Sequence, residues 1–465
     1  LIHINNEPTV AVGLLAATEA IRFELHGAFI IDSSGEILAG NYQAATASDA
    51  QQITITDAQG KQFTAPEITL RPVNDITGSF TVHDIIIGVN FHWERRETQT
   101  FRGALRLKRD GTGKLLVIND VSVEQYLVSV ISSEMSASAH HELLKAHAII
   151  SRSWLLAQLA PWKVEREKFL QLGKVIEKVD GTKELIRWYD KENHRDFDVC
   201  ADDHCQRYQG ITKALKTIEG ALGQEKVRSV IQTTFGRVLT FDDHICDARF
   251  SKSCGGMVEQ YASAWEDAQV PYLTPLYDGE TFPTEFALPL TNEKNAEAWI
   301  TAAPAAFCNS NDRTILQRIL PDFDQETTDF YRWHVTIPQT ELQALLHKKL
   351  SIEFGAVHSL EPVERGASGR LTRLRITGEK TTLVLGKELE IRRALSPSHL
   401  YSSAFVIRPE FHGGNIPASF TLLGAGWGHG VGLCQIGAAL MAEAGSVHEN
   451  ILAHYYPGSS LHKLY

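Results

Sequence analysis

The sequence predicts a mixed α+β fold: long antiparallel stretches joined by a few helices and preceded by a small β-rich domain. Three observations point there. Residues 7–80 alternate apolar and polar side chains with the period of half-buried strands. Near residue 122 the pattern changes to helical spacing. Strands then return at Trp333–Ile337 and Leu371–Ile376, ahead of a closing helix. A chain of 465 residues accommodates two or three domains of roughly 100–200 residues each. The expected division is 1–80 and 81–465, with an insertion near 287–330.

In the first eighty residues the strand candidates are Val10–Val12, Phe23–Leu25, Phe29–Ile31, Ile53–Ile55 and Ile68–Leu70. Asp32-Ser-Ser-Gly35 and Asp57-Ala-Gln-Gly60 between them have the residue types of tight turns. Such a domain reads as a structural or docking appendage. From about Ile86 strands continue through Phe101–Leu107 and Leu115–Ile118. Ser122 followed by Gln125 is a capping-box pattern that predicts a helix over Val123–Ile131. A second helix runs from about Ala139 to Leu159, with Leu143, His147, Ile150 and Trp154 on one face. Residues 162–200 are charged and irregular, as in an insertion or lid. Strands are expected again around Val227–Leu239, and a helical or loop insertion over 287–330. The closing helix spans Cys434–Ala444. After Gly445 a second capping box, Ser446…Glu449, starts a terminal helix to about Tyr455.

The formal net charge of −11 argues against nucleic acid as a partner, because there is no basic excess to displace counterions. The longest apolar runs, such as Val10–Ala17, fall far short of the roughly 20 residues of a membrane-spanning helix. The first residue is Leu1, not Met, which reads as a processed end; removal of a secretory signal is expected, and with it an extracytoplasmic location, periplasmic or cell-envelope. Six cysteines, Cys200, Cys205, Cys246, Cys254, Cys308 and Cys434, are too few and too scattered for a disulfide scaffold.

Four segments are odd choices for plain structure. Ser132-Ser-Glu-Met135 places Glu134 at the C-terminal end of the first helix, where the negative end of the dipole and apolar neighbours disfavour a charged carboxylate. A protonated acid is what a glycosidic leaving oxygen needs from its general acid; an exposed last-turn glutamate is the plainer alternative. His194, Cys200, His204 and Cys205 put four ligands within twelve residues, which suits a closed Cys2His2 zinc site of structural type. A Cys200–Cys205 disulfide or two unrelated thiols are the alternatives. Ser251-Lys-Ser-Cys-Gly-Gly256, followed by Tyr261, Trp265 and Pro271-Tyr-Leu273, offers close backbone approach and aromatic faces for sugars. Cys254 within it reads as a small buried residue and not as a nucleophile. Gly424-Ala-Gly-Trp-Gly-His-Gly-Val-Gly-Leu-Cys-Gln-Ile-Gly437 has the glycines of a phosphate loop but neither the lysine of a P-loop nor a dinucleotide fingerprint. It reads as a sugar-binding wall presenting Trp427, His429 and Gln435.

Taken together these segments resemble the SpoIID/LytB family of sporulation proteins and amidase enhancers. The resemblance runs from about Phe101 to Tyr465, with the interruption near 287–330. Its pieces are Phe101-Arg-Gly, Val117-Ile-Asn-Asp-Val, Glu124-Gln-Tyr-Leu, Ser133-Glu-Met, Leu144-Lys-Ala-His-Ala, Ser151-Arg-Ser, Asp198-Val-Cys with His-Cys-Gln-x-Tyr208, Ser253-Cys-Gly-Gly, Pro271-Tyr-Leu, Gly426-Trp-Gly-His-Gly-Val-Gly with Gln435-x-Gly, and Tyr455-Tyr-Pro-Gly, in the family's order. The resemblance implies a SpoIID-like core and a lytic transglycosylase. Its substrate would be peptidoglycan glycan strands, in SpoIID preferably stripped of peptide. Glu134 is then the catalytic acid and base, with Ser136 where the family usually has proline. It further implies a structural Zn2+ on His194, Cys200, His204 and Cys205, with no cofactor required for chemistry. Arg152, Ser253, Tyr272, Trp427, His429 and Gln435 are the candidates for holding substrate. Glu259, Glu266 and Asp267 are candidates for a second carboxylate if the enzyme hydrolyses. Within the same family, the alternative is a non-catalytic enhancer that grips glycan and activates a partner cell-wall amidase.

Overall fold

The alternating strands of the first eighty residues pair with those that follow into one sheet. The computed structural model describes residues 4–46, 52–87, 94–159, 174–177, 183–188, 194, 196–202, 205–212, 218–321, 325 and 327–465. Its largest sheet has eleven strands, and along its main path the order is 199–200, 9–18, 115–122, 104–109, 68–72, 20–31, 37–46, 53–57 and 62–65. Strand 79–87 pairs with both 20–31 and 95–101. The boundary expected near residue 80 therefore falls inside the sheet. Thr9–Thr18 lies antiparallel to Leu115–Ser122, with Val10 opposite Val121, and Ile68–Pro72 lies against Ala104–Arg109. The inward side chains of both stretches, among them Val10, Phe23, Phe29, Leu105 and Val117, belong to one buried cluster. The predicted turns are present: Gly35 N–H donates to the Ile31 carbonyl at 2.9 Å and Gly60 N–H to that of Asp57 at 3.1 Å.

Against this sheet pack the helices Val123–Glu134, His141–Leu159 and Ile218–Thr233. The second is buried nearly all round, from Leu143 to Leu156, which marks it as the central helix of the fold. The third replaces part of an expected strand. Val227, Val230 and Ile231 follow the i, i+3, i+4 spacing of a helix, and all three enter the core.

Neither predicted capping box forms. Ser122 makes no side-chain cap; Glu7 instead accepts the Glu124 N–H at 2.8 Å. The last helix, His448–Tyr455, also lacks a side-chain cap at its own N-terminus, and its first N–H goes to Glu142 Oε2 at 2.7 Å. Both helix starts are capped by glutamates distant in sequence.

A second cluster, centred on Ile337, Leu346, Leu371, Leu385 and Phe405, carries the sheet 174–177, 183–186, 382–386, 371–378 and 357–365 and a three-stranded sheet of 332–338, 419–425 and 405–410. The expected insertion contributes the helices Glu293–Thr301 and Arg313–Ile319; Leu316 and Ile319 of the latter join the first core. Helices interspersed with largely antiparallel sheets make the fold α+β. Among the described residues no helix is long and apolar enough to cross a membrane.

Candidate functional site

Glu134 is the last residue of its helix, three residues beyond the predicted end. Ser129 and Ser133 share one face of the final turns, Glu134 follows beside them, and residues 207–210 lie along all three. Gly210 N–H donates to Ser129 Oγ at 2.8 Å, Gln209 N–H to Ser133 Oγ at 3.3 Å, and Arg207 N–H to Glu134 Oε1 at 3.0 Å. Glu134 is 9% exposed. Among the described residues its Oε2 accepts no hydrogen bond and no basic side chain pairs with the carboxyl. One oxygen is fixed, and the other is left able to meet a ligand.

The loop that follows is held without the proline. Ser136 N–H donates to the Ile319 carbonyl at 2.8 Å, a bond proline cannot make. Ser138 Oγ donates to the Arg318 carbonyl at 2.9 Å and Lys226 Nζ to that of Ala139 at 2.6 Å.

The segment that reaches Glu134 starts at the proposed metal ligands. His194, Cys200 and Cys205 bring their ligand atoms within 4.8 Å of one another, with Cys205 Sγ 3.6 Å from His194 Nε2. His204 lies outside the described residues. Two thiols and an imidazole at this spacing fit a zinc ion. Two residues after Cys205 comes the backbone N–H that holds Glu134.

The other candidates divide by what they touch. Arg152 is fully buried and spends its guanidinium on Glu124, at 2.8 and 2.6 Å, and on the Arg237 carbonyl at 2.9 Å. It braces two helices and cannot reach substrate, so its expected binding role is corrected. Gln435 is also buried; its Nε2 donates to His147 Nε2 at 3.0 Å. Burial lowers the His147 pKa to about 3, so the ring is neutral and accepts this bond. From His147 the network continues to Ser151 Oγ at 3.2 Å, and the Ser151 carbonyl accepts from Gln206 Nε2 at 3.4 Å. Gln206 precedes the residue that holds Glu134. The glycine-rich turn and the acid are thereby joined through the central helix, with Gln435 as an internal link and not a substrate contact.

Ser253 is buried and pairs its backbone with Trp427, at 3.0 and 2.7 Å. The glycine-rich turn itself wraps Arg370, a fully buried residue that sequence reasoning missed. Arg370 donates to the carbonyls of Cys254 at 3.0 Å, Gly428 at 3.2 Å and Ser253 at 3.4 Å. Gly430 has φ +77°, and a Cβ there would overlap the guanidinium. The turn thus points carbonyls at an internal cation, the reverse of an anion-binding loop, which points N–H groups outward.

Trp427, His429 and Tyr272 are partly buried. Trp427 stacks on Tyr401 with centroids 4.1 Å apart. His429 meets the edge of Trp265 at 4.9 Å, and the Arg249 guanidinium lies 4.3 Å over that same indole. Burial, with Arg249 and Arg370 nearby, holds His429 well below the usual histidine range; its neutral Nδ1 accepts the Val431 N–H at 3.0 Å. Tyr272 Oη accepts the Asp247 N–H at 2.9 Å. Trp427 with Tyr401, and His429 with Trp265, are thus two aromatic groups of the kind that can stack on sugar faces.

Of the carboxylates considered as partners, Glu259 is fully buried and accepts from Gln260, Ser263, Ala367 and Ser368. That makes it a structural anchor. Asp267 pairs with Lys387 at 2.6 Å. A cavity of about 360 Å³ opens beside the same helix, between Arg102, Val128 and Arg228, but Glu134 does not line it.

Comparison with known proteins gives this geometry its context. Residues 111–241 match the family described as Stage II sporulation protein, and residues 259–432 match a domain of unknown function, DUF8618. The amidase enhancer of Bacillus subtilis (strain 168) is 22% identical over 264 residues, 54% of this chain and 34% of that protein. The chain spans about a third of that relative's length. Stage II sporulation protein D of Bacillus amyloliquefaciens is 22% identical over 341 residues, 73% of this chain and 74% of that protein. Its namesake from Bacillus subtilis (strain 168) is 21% identical over 352 residues, 74% and 75% of the two chains. The segment that matches the Stage II sporulation protein family carries both Glu134 and the 205–210 loop that holds it, and on these matches the chain is similar to the SpoIID/LytB proteins.

Proposed function

We propose that this chain is a lytic transglycosylase that cuts peptidoglycan glycan strands between N-acetylmuramic acid and N-acetylglucosamine, with Glu134 as both acid and base. One observation carries the reading: Glu134 is buried, fixed through Oε1 by the Arg207 N–H, and free at Oε2 of any partner among the described residues. Protonated Glu134 gives its proton to the glycosidic oxygen as the C1–O bond breaks, and N-acetylglucosamine leaves with a hydroxyl. The carboxylate then takes the proton of the muramic acid 6-hydroxyl while that oxygen bonds to C1, giving a 1,6-anhydro end. The substrate supplies the nucleophile, so no second carboxylate is needed. The anchored state of Glu259 agrees with that economy.

In this reading Trp427, His429, Tyr272 and Trp265 line the path of the glycan. A zinc ion on His194, Cys200 and Cys205 would cross-link the segment that presents the Arg207 N–H; its part is structural. Work on cell-wall glycan sets the protein outside the cytoplasm.

The test is mass spectrometry of products from intact and peptide-stripped glycan, with purified wild type and Glu134→Gln. Anhydro ends from the wild type alone support the reading. Products one water heavier show a hydrolase instead, and normal cleavage by Glu134→Gln removes Glu134 from the chemistry. The likeness to a protein named amidase enhancer favours a second reading, a glycan-gripping activator of a partner amidase. It predicts no release of anhydro-muropeptides by the purified chain, together with faster turnover by an added cell-wall amidase.

A further inference from the structure

Apart from Glu134 and its loop, four metal-ligating side chains are buried against one another. Cys254, Asp278, Cys308 and Cys434 bring their ligand atoms within 4.8 Å of one another. Cys254 is 2% exposed and the other three 0%. They come from four separate segments: the Ser251–Gly256 loop, the residue after strand Leu276–Tyr277, the loop before helix Arg313–Ile319, and the entry to helix Gln435–Glu443. Half of the chain's six cysteines meet here.

The spacing and surroundings fit a metal ion. Cys254 Sγ and Cys308 Sγ are 3.6 Å apart. Ligands around a tetrahedral zinc with arms of about 2.3 Å stand about 3.8 Å from one another. The N–H groups and the hydroxyl around the cluster are aimed at the atoms that would become anionic ligands. Cys254 N–H donates to Cys434 Sγ at 3.2 Å, Cys308 N–H to Asp278 Oδ2 at 3.0 Å, and Tyr455 Oη to Asp278 Oδ1 at 2.6 Å. That is the outer shell a thiolate–carboxylate metal site requires. Gly437 keeps the space clear, since a Cβ there would stand 2.7 Å from Asp278 Oδ1. The guanidiniums of Arg332 and Arg370 donate to the carbonyls of Gly255 and Cys254, at 3.1 and 3.0 Å, and bring positive charge beside the cluster.

We propose that Cys254, Asp278, Cys308 and Cys434 bind a structural Zn2+ ion in a closed tetrahedral site. Three sulfur ligands select zinc over harder cations, and four protein ligands leave no position for water or substrate. The thiols give up their protons to solvent on binding. The ion fastens the glycine-rich turn: Cys254 follows Ser253, which pairs with Trp427, and Cys434 precedes Gln435, which meets His147. Asp278 and Cys308 lie inside the 259–432 match, and Cys254 and Cys434 just beyond its two ends. The site therefore closes that region on itself where it starts and where it ends. It is separate from the His194, Cys200 and Cys205 cluster and does not depend on glycan cleavage.

The experiment is zinc stoichiometry on the full chain expressed with zinc and purified under reducing conditions. Cys200→Ser/Cys205→Ser removes the half-exposed cluster, and one zinc per chain is expected to remain. Adding Cys308→Ser is expected to abolish retention. If that triple variant does not fold, X-ray absorption at the zinc edge of the folded double variant decides, with three sulfurs and one oxygen expected. A double variant without zinc, or zinc without three sulfur ligands, overturns the proposal. So does a Cys254–Cys308 disulfide in a non-reducing peptide map of the unmutated chain.

Discussion

The helix end at Glu134 and the glycine-rich turn of residues 424–437 look alike as sequence, for each sets polar groups among small residues. They use those groups in opposite directions. At the helix end, N–H groups of residues 207–210 converge on Ser129, Ser133 and Glu134, and one carboxyl oxygen stays outside the network. In the turn, carbonyls converge on buried Arg370, and Gln435 is spent on His147. An unusual polar motif thus marks either a ligand site or an internal brace. A complete set of buried partners distinguishes the brace.

Removing each side chain separates the two uses. Glu134→Gln keeps the oxygen that accepts the Arg207 N–H and removes the proton. Cleavage is expected to fall on the order of 10³-fold, about 4 kcal/mol in barrier, with the unfolding midpoint unchanged. A midpoint that drops along with activity breaks the comparison by making Glu134 structural as well. Arg370→Met reverses the pattern. It leaves the carbonyls of Cys254 and Gly428 without their donor and that of Ser253 with the Trp427 N–H alone, and a stability loss of about 3 kcal/mol is expected in urea unfolding. A loss below about 0.5 kcal/mol would mean that the turn finds other donors.

The same contrast explains what the sequence made legible. Strands and most helices follow from periodicity, because their burial is a local matter of which side chains face in. The position of Glu134 at a helix end was legible through the motif around it, and the serines at 129 and 133 are a further signal: their i, i+4 spacing marks the face that the 207–210 segment covers. Arg152 is misleading for a physical reason. A buried arginine on a central helix needs an acid, and Glu124, 28 positions earlier, supplies it. Arg370 leaves no trace in sequence, because its acceptors are mostly main-chain oxygens. Both capping boxes fail in a related way, since Glu7 and Glu142 reach the helix starts from afar. Pairing of 68–72 with 104–109 crosses the boundary expected near residue 80, and such non-local pairing leaves no trace in local periodicity.

Glu142 sharpens the comparison as a buried carboxylate with every partner present. Burial alone raises its pKa, but Lys145, the His448 N–H and the His448 imidazole together outweigh that and hold it at about 2, below its ordinary 4.5. A lowered folded pKa means that the unfolded chain binds more protons between these values. The contribution is therefore complete above pH 4.5 and lost as pH falls toward 2. Glu142→Gln is expected to lower stability by about 2 kcal/mol at pH 7. In urea unfolding the gap from wild type should close through that window. A gap that persists at pH 2 would assign the effect to packing and not to charge.

The smallest effect tests how firmly Glu134 is presented. Ser136 stands where the family usually has proline, and its N–H donates to the Ile319 carbonyl at 2.8 Å. The loop is thus tied to the neighbouring helix by a bond that proline would delete, where proline would stiffen the loop through its fixed φ. Ser136→Pro trades one restraint for the other. Loss of the bond costs about 1 kcal/mol, and reduced freedom of the unfolded chain returns part of it. A net destabilisation under about 1 kcal/mol is expected, with cleavage by the purified chain within a few-fold of wild type. A much larger fall in cleavage at unchanged stability would show that the Ser136–Ile319 bond itself sets the direction of Glu134, and that the helix end, like the glycine-rich turn, depends on a brace from outside its own motif.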